Sequence, residues 1–135
     1  MPLIEWKPEF SVGIKDIDEQ HKGLMSTINT LHNTMGEGKG RDVLAEIFNN
    51  LIAYTTTHFK TEEIFMTTFS YPDYSEHKEA HDRCVSKVIE FKNKFDKGDV
   101  RITIALSIFL VGWLHEHLLK MDMKYVPFFR EKGLS

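Results

Sequence analysis

"VRITIALSI", residues 100–108, is the stretch on which the fold turns. Its β-branched residues alternate with their neighbours as in a half-buried strand. A lone strand has no ladder partner for its backbone N–H and C=O groups, so its reading depends on its surroundings. Upstream the chain is helical in pattern throughout. Ile17, His21, Leu24, Ile28, Leu31 and Met35 recur at steps of three and four, the spacing of one buried helix face. "DIDEQH", 16–21, opens that segment with Asp16 and Glu19 three apart, as in a capping box. "GEGKG", 36–40, closes it, because three glycines in five residues do not sustain a helix.

A second stripe runs through Ile47, Leu51, Tyr54, His58, Glu62 and Phe65. "SYPDYS", 70–75, contains Pro72 and reads as a loop, after which Asp73 and Glu76 are spaced to cap a third helix. That helix carries His77, His81, Val85, Val88, Phe91 and Phe95 on one face, and "DKGD", 96–99, turns the chain again. A strand at 100–108 would meet only helices, so the segment is assigned as a fourth helix, apolar on several sides and therefore expected to be deeply buried. The predicted architecture is all-α: an antiparallel up-down-up-down four-helix bundle. One domain spans 1–135, with helices at roughly 17–36, 42–66, 74–96 and 100–120. An extended N-terminal arm over 1–15, marked by Pro2, Pro8 and Gly13, precedes them, and a short C-terminal tail follows.

The bulk figures fit a single packed domain. The 135 residues are 41% hydrophobic and 27% charged. A net charge of −3 gives no long-range attraction to nucleic acid or anionic membrane. "MPLIEWKPEF", 1–10, has neither the basic nor the apolar region of a secretory signal. "ITIALSIFLVGWL", 102–114, is too short to span a bilayer, so no membrane insertion is expected. The lone Cys84 forms no internal disulfide, which suits a reducing, cytoplasmic setting, and its expected role is that of a small buried hydrophobe.

Seven histidines in so short a chain is the unusual figure. Each of the first three helices carries histidine inside its buried stripe, paired with a second donor four residues on in "HFKTE", 58–62, and "HKEAH", 77–81. A buried imidazole needs a partner for each ring nitrogen, and a cation among several of them satisfies all the lone pairs at once. Imidazole with carboxylate and no thiolate favours iron, zinc or manganese. The last helix is ambiguous on phase. His115 and His117 are about 200° apart around an α-helix, so only one faces the core. Asp122 is nearly in phase with His115 and about 140° out of phase with His117. Periodicity alone prefers His115.

Taken together, "W6…FSVGI…DIDEQH21", "H58FKTE62E", "YPDYSEH77KEAH81" and "WLHEH117LLKMD122MKY" resemble the hemerythrin family, specifically its single-domain bacterial members, over almost the whole chain. The resemblance implies two non-haem, oxygen-bridged iron ions. By position His77, His81 and His117 bind one iron, His21 and His58 the other, and Glu62 and Asp122 bridge them. It therefore selects His117 over His115, which requires the helix to end or change phase before Asp122. His32, about 16 Å along the helix from His21, is too distant to join. The first iron then has six donors and the second five, which leaves one open position for dioxygen. Leu24, Phe59, Trp113 and Leu118, beside ligands in the pattern, are expected to wall an apolar oxygen pocket, while Trp6 covers the bundle.

The implied function is reversible dioxygen binding for transport, storage or local delivery, without enzymatic turnover, by a monomer that supplies an O₂-consuming enzyme. Two alternatives stand beside it. One is O₂ or redox sensing through a signalling partner. The other is a di-iron oxidase, peroxidase or nitric oxide-handling enzyme, for which Tyr54, one turn before His58, is the residue best placed to supply a proton.

Overall fold

The computed structural model describes residues 3–36, 41–99 and 101–134; the glycine-rich link at 37–40, Val100 and the side chains of Met35 and Arg41 lie outside the described residues. Five α-helices follow a 3₁₀ turn at Pro8–Phe10: α1 (Lys15–Gly36), α2 (Arg41–Thr68), α3 (Tyr74–Asp96), α4 (Ile102–His117) and α5 (Met123–Glu131). A π-helical turn, Leu118–Asp122, joins α4 to α5 without a break. Consecutive long helices are neighbours, and α4 returns against α1 to close a four-helix bundle. No strand occurs among the described residues, and 102–108 is helix.

Several local expectations are corrected. Neither proposed N-terminal cap forms as such. Helix α1 starts one residue before Asp16, and it is the Asp18 carboxylate that accepts Ser11 Oγ at 2.6 Å and the Val12 N–H at 2.9 Å. Asp73 precedes α3 but makes no capping hydrogen bond. The buried face of α2 runs through Leu44, Phe48, Leu51, Thr55, His58, Glu62 and Met66, with Ile47, Tyr54 and Phe65 only half-buried at its border. Helix α4 is not buried all round. Thr103, Leu106, Ser107, Leu110, Leu114 and His117 face inward, whereas Ile104 and Ile108 are 52% and 65% exposed. The expected C-terminal tail is helical, continuing through Pro127. The whole run Ile102–Glu131 is apolar and long enough to cross a membrane by composition alone, yet His117 and Asp122 on it are buried within the bundle.

The core comes in two pieces. One holds Leu24, Ile28, Phe59, Cys84 and Leu118; the other holds Ile17, Met66, Tyr71, Tyr125 and Phe129. On α1, α2 and the π turn, a polar residue separates the two along the chain: His21 between Ile17 and Leu24, Glu62 between Phe59 and Met66, Asp122 between Leu118 and Tyr125. A buried polar layer therefore crosses the bundle between two apolar clusters.

Beyond the Asp18 contacts to Ser11 and Val12, the start of the N-terminal arm is tied to the bundle by Asn29. Asn29 Oδ1 accepts the N–H groups of Leu3 and Ile4 at 2.8 and 3.0 Å, and its Nδ2 donates to the Ile4 carbonyl at 2.7 Å. Asn29→Ala leaves three part-buried backbone groups without these partners. The expected loss is about 1–3 kcal/mol in urea denaturation, with faster amide exchange confined to the arm. Unchanged exchange there would show that Ile4 and Phe10 hold the arm by packing alone.

Candidate metal centre

The residues expected as ligands converge from all four sides of the bundle. His21 comes from α1, His58 and Glu62 from α2, His77 and His81 from α3, His117 from the end of α4, and Asp122 from the π turn. All seven are at most 5% exposed. Donor atoms fall into two groups sharing Glu62: Glu62, His77, His81, His117 and Asp122 in one, His21, His58 and Glu62 in the other.

Both carboxylates divide their oxygens between the groups. Glu62 Oε1 lies 2.8 Å from His58 Nε2 and 3.2 Å from His21 Nε2. Its Oε2 lies 3.2 Å from His77 Nε2 and 3.5 Å from His81 Nε2. Asp122 Oδ1 is 3.0 Å from His77 Nε2 and 3.1 Å from His117 Nε2, while Oδ2 is 3.3 Å from His21 Nε2. The π turn brings this about. The Met123 N–H bonds to the Leu118 carbonyl five residues back, and this wider turn brings Asp122 round to the face of His117. His115 is exposed, with its ring edge-on to Phe10, and His32 stands apart from the cluster.

The hydrogen bonds behind the rings test whether a metal fits. The Thr61 hydroxyl donates to the Thr57 carbonyl at 3.0 Å, so its oxygen is free to accept the Gln20 amide N–H₂ at 3.3 Å. That orients the Gln20 carbonyl toward His58 Nδ1 at 2.8 Å, so Nδ1 carries the proton. Burial drives His58 below the usual imidazole range, despite Glu62, so the ring is neutral and its Nε2 is a bare lone pair. That lone pair faces a carboxylate oxygen 2.8 Å away. His81 repeats the pattern, with Nδ1–H donated to Glu63 Oε2 at 2.8 Å and Nε2 aimed 3.2 Å from His117 Nε2. Among the described residues, neither oxygen of Asp122, nor Glu62 Oε2, accepts a directed hydrogen bond. Lone pairs converging on lone pairs in a dry interior call for cations between them. The residues fit a metal pair.

Electrostatics agree in sign. Burial alone would lower His21 and His77, but Asp122 and Glu62 outweigh it and raise both to about 9. Burial alone would raise Glu62, yet the imidazoles around it, His21 and His77 among them, hold it well below the carboxylate range; Asp122 is depressed likewise against burial and Glu62, chiefly by His117. The centre thus draws positive charge, which metal ions supply in exchange for protons.

The four expected pocket residues lie around this layer. Leu24, Phe59 and Leu118 are buried and Trp113 is half-buried. Phe59 stacks on His81 at 3.9 Å and 3°, and Trp113 on His117 at 4.3 Å and 13°, so both rings buttress imidazoles of the three-histidine group. Tyr54 stands outside the cluster. Its hydroxyl packs so closely on Gly23 of α1 that a Cβ there would overlap it. A groove of about 500 Å³ between α1 and α2, lined by Gln20, Tyr54 and Thr57, reaches His58. Cys84 is buried, with its thiol pushed up to about 12 by burial, and takes no part.

Three contributors had no role assigned from the sequence, although each lies within a stretch of the family pattern: Gln20, Glu63 and Tyr125. Gln20 and Glu63 each adjoin a ligand in sequence, and that adjacency is a further available signal. Tyr125 stacks on His77 at 5.7 Å and 19°, beyond the point where the fourth helix was expected to end.

Comparison with known proteins yields one family. The model of the hemerythrin HHE cation binding domain matches residues 12–129. The bacteriohemerythrin of Methylococcus capsulatus is 33% identical over 128 residues, covering 94% of this chain and 97% of that one. That of Clostridium acetobutylicum is 32% identical over 129 residues, covering 92% and 99%. A solved wild-type hemerythrin superposes with a TM-score of 0.87 at 32% identity, covering 93% of this chain and 96% of that one. Leucine-substituted hemerythrin variants reach 0.88.

Proposed function

Because this chain belongs to the hemerythrin family, whose members hold a di-iron centre and bind dioxygen, we propose that it binds dioxygen reversibly, for transport, storage or local delivery. The observation that carries this reading is the unequal division of donors around two shared carboxylates. In it His77, His81 and His117 would hold one iron and His21 and His58 the other, with Glu62 and Asp122 spanning both. Two ferrous irons held in this way supply the electrons for reversible dioxygen binding. The histidine-poor position has one donor fewer, which leaves a coordination site for the incoming ligand.

The remaining work falls to the protein. Glu62 and Asp122 fix the spacing of the two positions. Leu24, Phe59, Trp113 and Leu118 would exclude water around them, which protects the bound ligand from protons. Phe59 and Trp113 also lock the ring planes of His81 and His117 by stacking. The neutral imidazoles contribute less negative charge than a carboxylate-rich site, which disfavours oxidative turnover.

The test loads metal-free protein with ferrous iron anaerobically, counts the metal, admits dioxygen and purges it while recording the spectrum. Colour that appears with dioxygen and disappears on purging supports the reading. Irreversible conversion to a ferric product with consumption of reductant overturns it in favour of an enzyme. His117→Ala is expected to reduce retained iron by about 10-fold or more, whereas His115→Ala keeps the wild-type iron content. The reverse outcome in metal analysis would refute the assignment of the fourth helix.

A further inference from the structure

Building on the di-iron reading above, we infer that Glu63 and Gln20 are positioning residues that make the two metal positions unequal in electron richness. Glu63 follows Glu62 on α2, and its carboxylate oxygen Oε2 accepts the His81 Nδ1–H at 2.8 Å. Its other oxygen lies 3.7 Å from Lys78 Nζ, but that ammonium is closer to Asp82, at 3.0 Å, so it only partly neutralises Glu63. The three-histidine position therefore has an anion behind one ligand. Across the centre, His58 Nδ1–H meets the neutral amide oxygen of Gln20, also at 2.8 Å, and His21 Nδ1 has no hydrogen-bond partner among the described residues.

The two hydrogen bonds are equal in length and differ in charge. A carboxylate behind an imidazole raises the basicity of its metal-binding nitrogen and favours the higher oxidation state of the metal; an amide does so far less. His81 is thus the stronger donor, and the three-histidine position holds the ferric state more firmly. Gln20 leaves the two-histidine position, the one with a free coordination site, easier to return to ferrous when the ligand departs. A glutamate at position 20 would remove that difference.

The experiment exchanges the charges and measures potentials. Anaerobic redox titration of two-iron Glu63→Gln, which keeps an oxygen acceptor for His81, is expected to raise one midpoint by about 59 mV, a tenfold change for one electron. Gln20→Glu is expected to lower one midpoint by a similar amount. In zinc-loaded protein, where no redox chemistry intervenes, the His81 ring N–H proton resonance moves upfield in Glu63→Gln. If both variants retain two irons and titrate at wild-type potentials, the inference falls while the di-iron reading stands. If Glu63→Gln loses its iron, Gln20→Glu decides: a lowered potential upholds the inference and an unchanged one overturns it. If wild-type protein does not retain two irons, the reading itself fails and the inference with it.

Discussion

Glu62→Ala is expected to abolish paired metal binding, lowering retained iron from about two atoms per chain to well below one. The size of the effect follows from where the side chain stands. Its Oε1 is within 3.2 Å of both histidines of one group, and its Oε2 is 3.2 and 3.5 Å from two histidines of the other. On the proposed assignment, truncation would remove a donor from both positions at once and leave the five imidazoles with Asp122 as their one shared carboxylate. Losing a group that merely supports a ligand costs about 10–100-fold in metal affinity, and losing a shared ligand costs more. Glu62→Gln separates charge from shape: the amide keeps the volume but offers one acceptor oxygen, so it can serve one group only. Metal analysis after desalting, read beside the spectrum, checks both variants. Retention of two irons by Glu62→Ala would mean that Asp122 alone spans the centre, which would overturn the bridging role.

The legible parts of the molecule were those written in helical phase. His21, His58, Glu62, His77 and His81 sit on regular α-helices, so steps of three and four report directly which side chains share a buried face. Asp122 does not obey that rule, because the backbone between it and His117 is not α-helical. Phase alone therefore favoured His115, which is exposed. The family pattern selected His117, and the π turn is the physical reason that choice is compatible with the chain. Helix α4 misled in a second way. Its high apolar content suggested burial on all sides, but Ile104 and Ile108 face outward, since composition does not report which face a neighbour covers. The roles of Gln20 and Glu63, though both stand within the family pattern, were not legible for a third reason. Both residues act on ring nitrogens across a helix–helix interface, and no spacing within one helix encodes such a contact.

Lengthening the π turn by one residue is expected to be as damaging as losing a ligand. In a regular α-helix five residues advance the side chain to about 140° from the starting face. The i→i+5 bond from the Met123 N–H to the Leu118 carbonyl absorbs that mismatch, as a single residue inserted into an α-helix does. An alanine inserted between Leu119 and Lys120 would carry Asp122 about 100° further round and turn it off the centre. It would also swing Tyr125 and Phe129, 0% and 1% exposed, out of the second apolar cluster. Two such side chains contribute about 3–6 kcal/mol by burial, so stability should fall together with iron content. Removing Lys120 is the converse test. That residue is exposed, and its contact with Glu116 is a surface ion pair of small energetic weight. Its loss leaves His117 and Asp122 four apart in an ordinary α turn, still on one face, and keeps α5 in phase with the core. The deletion is therefore expected to fold and hold its iron while the insertion does neither, as read by helical circular dichroism, thermal unfolding and metal content. Tolerance of the insertion with failure of the deletion would show that the wide turn does not correct the phase, and that Asp122 reaches the centre by some other adjustment of the helix.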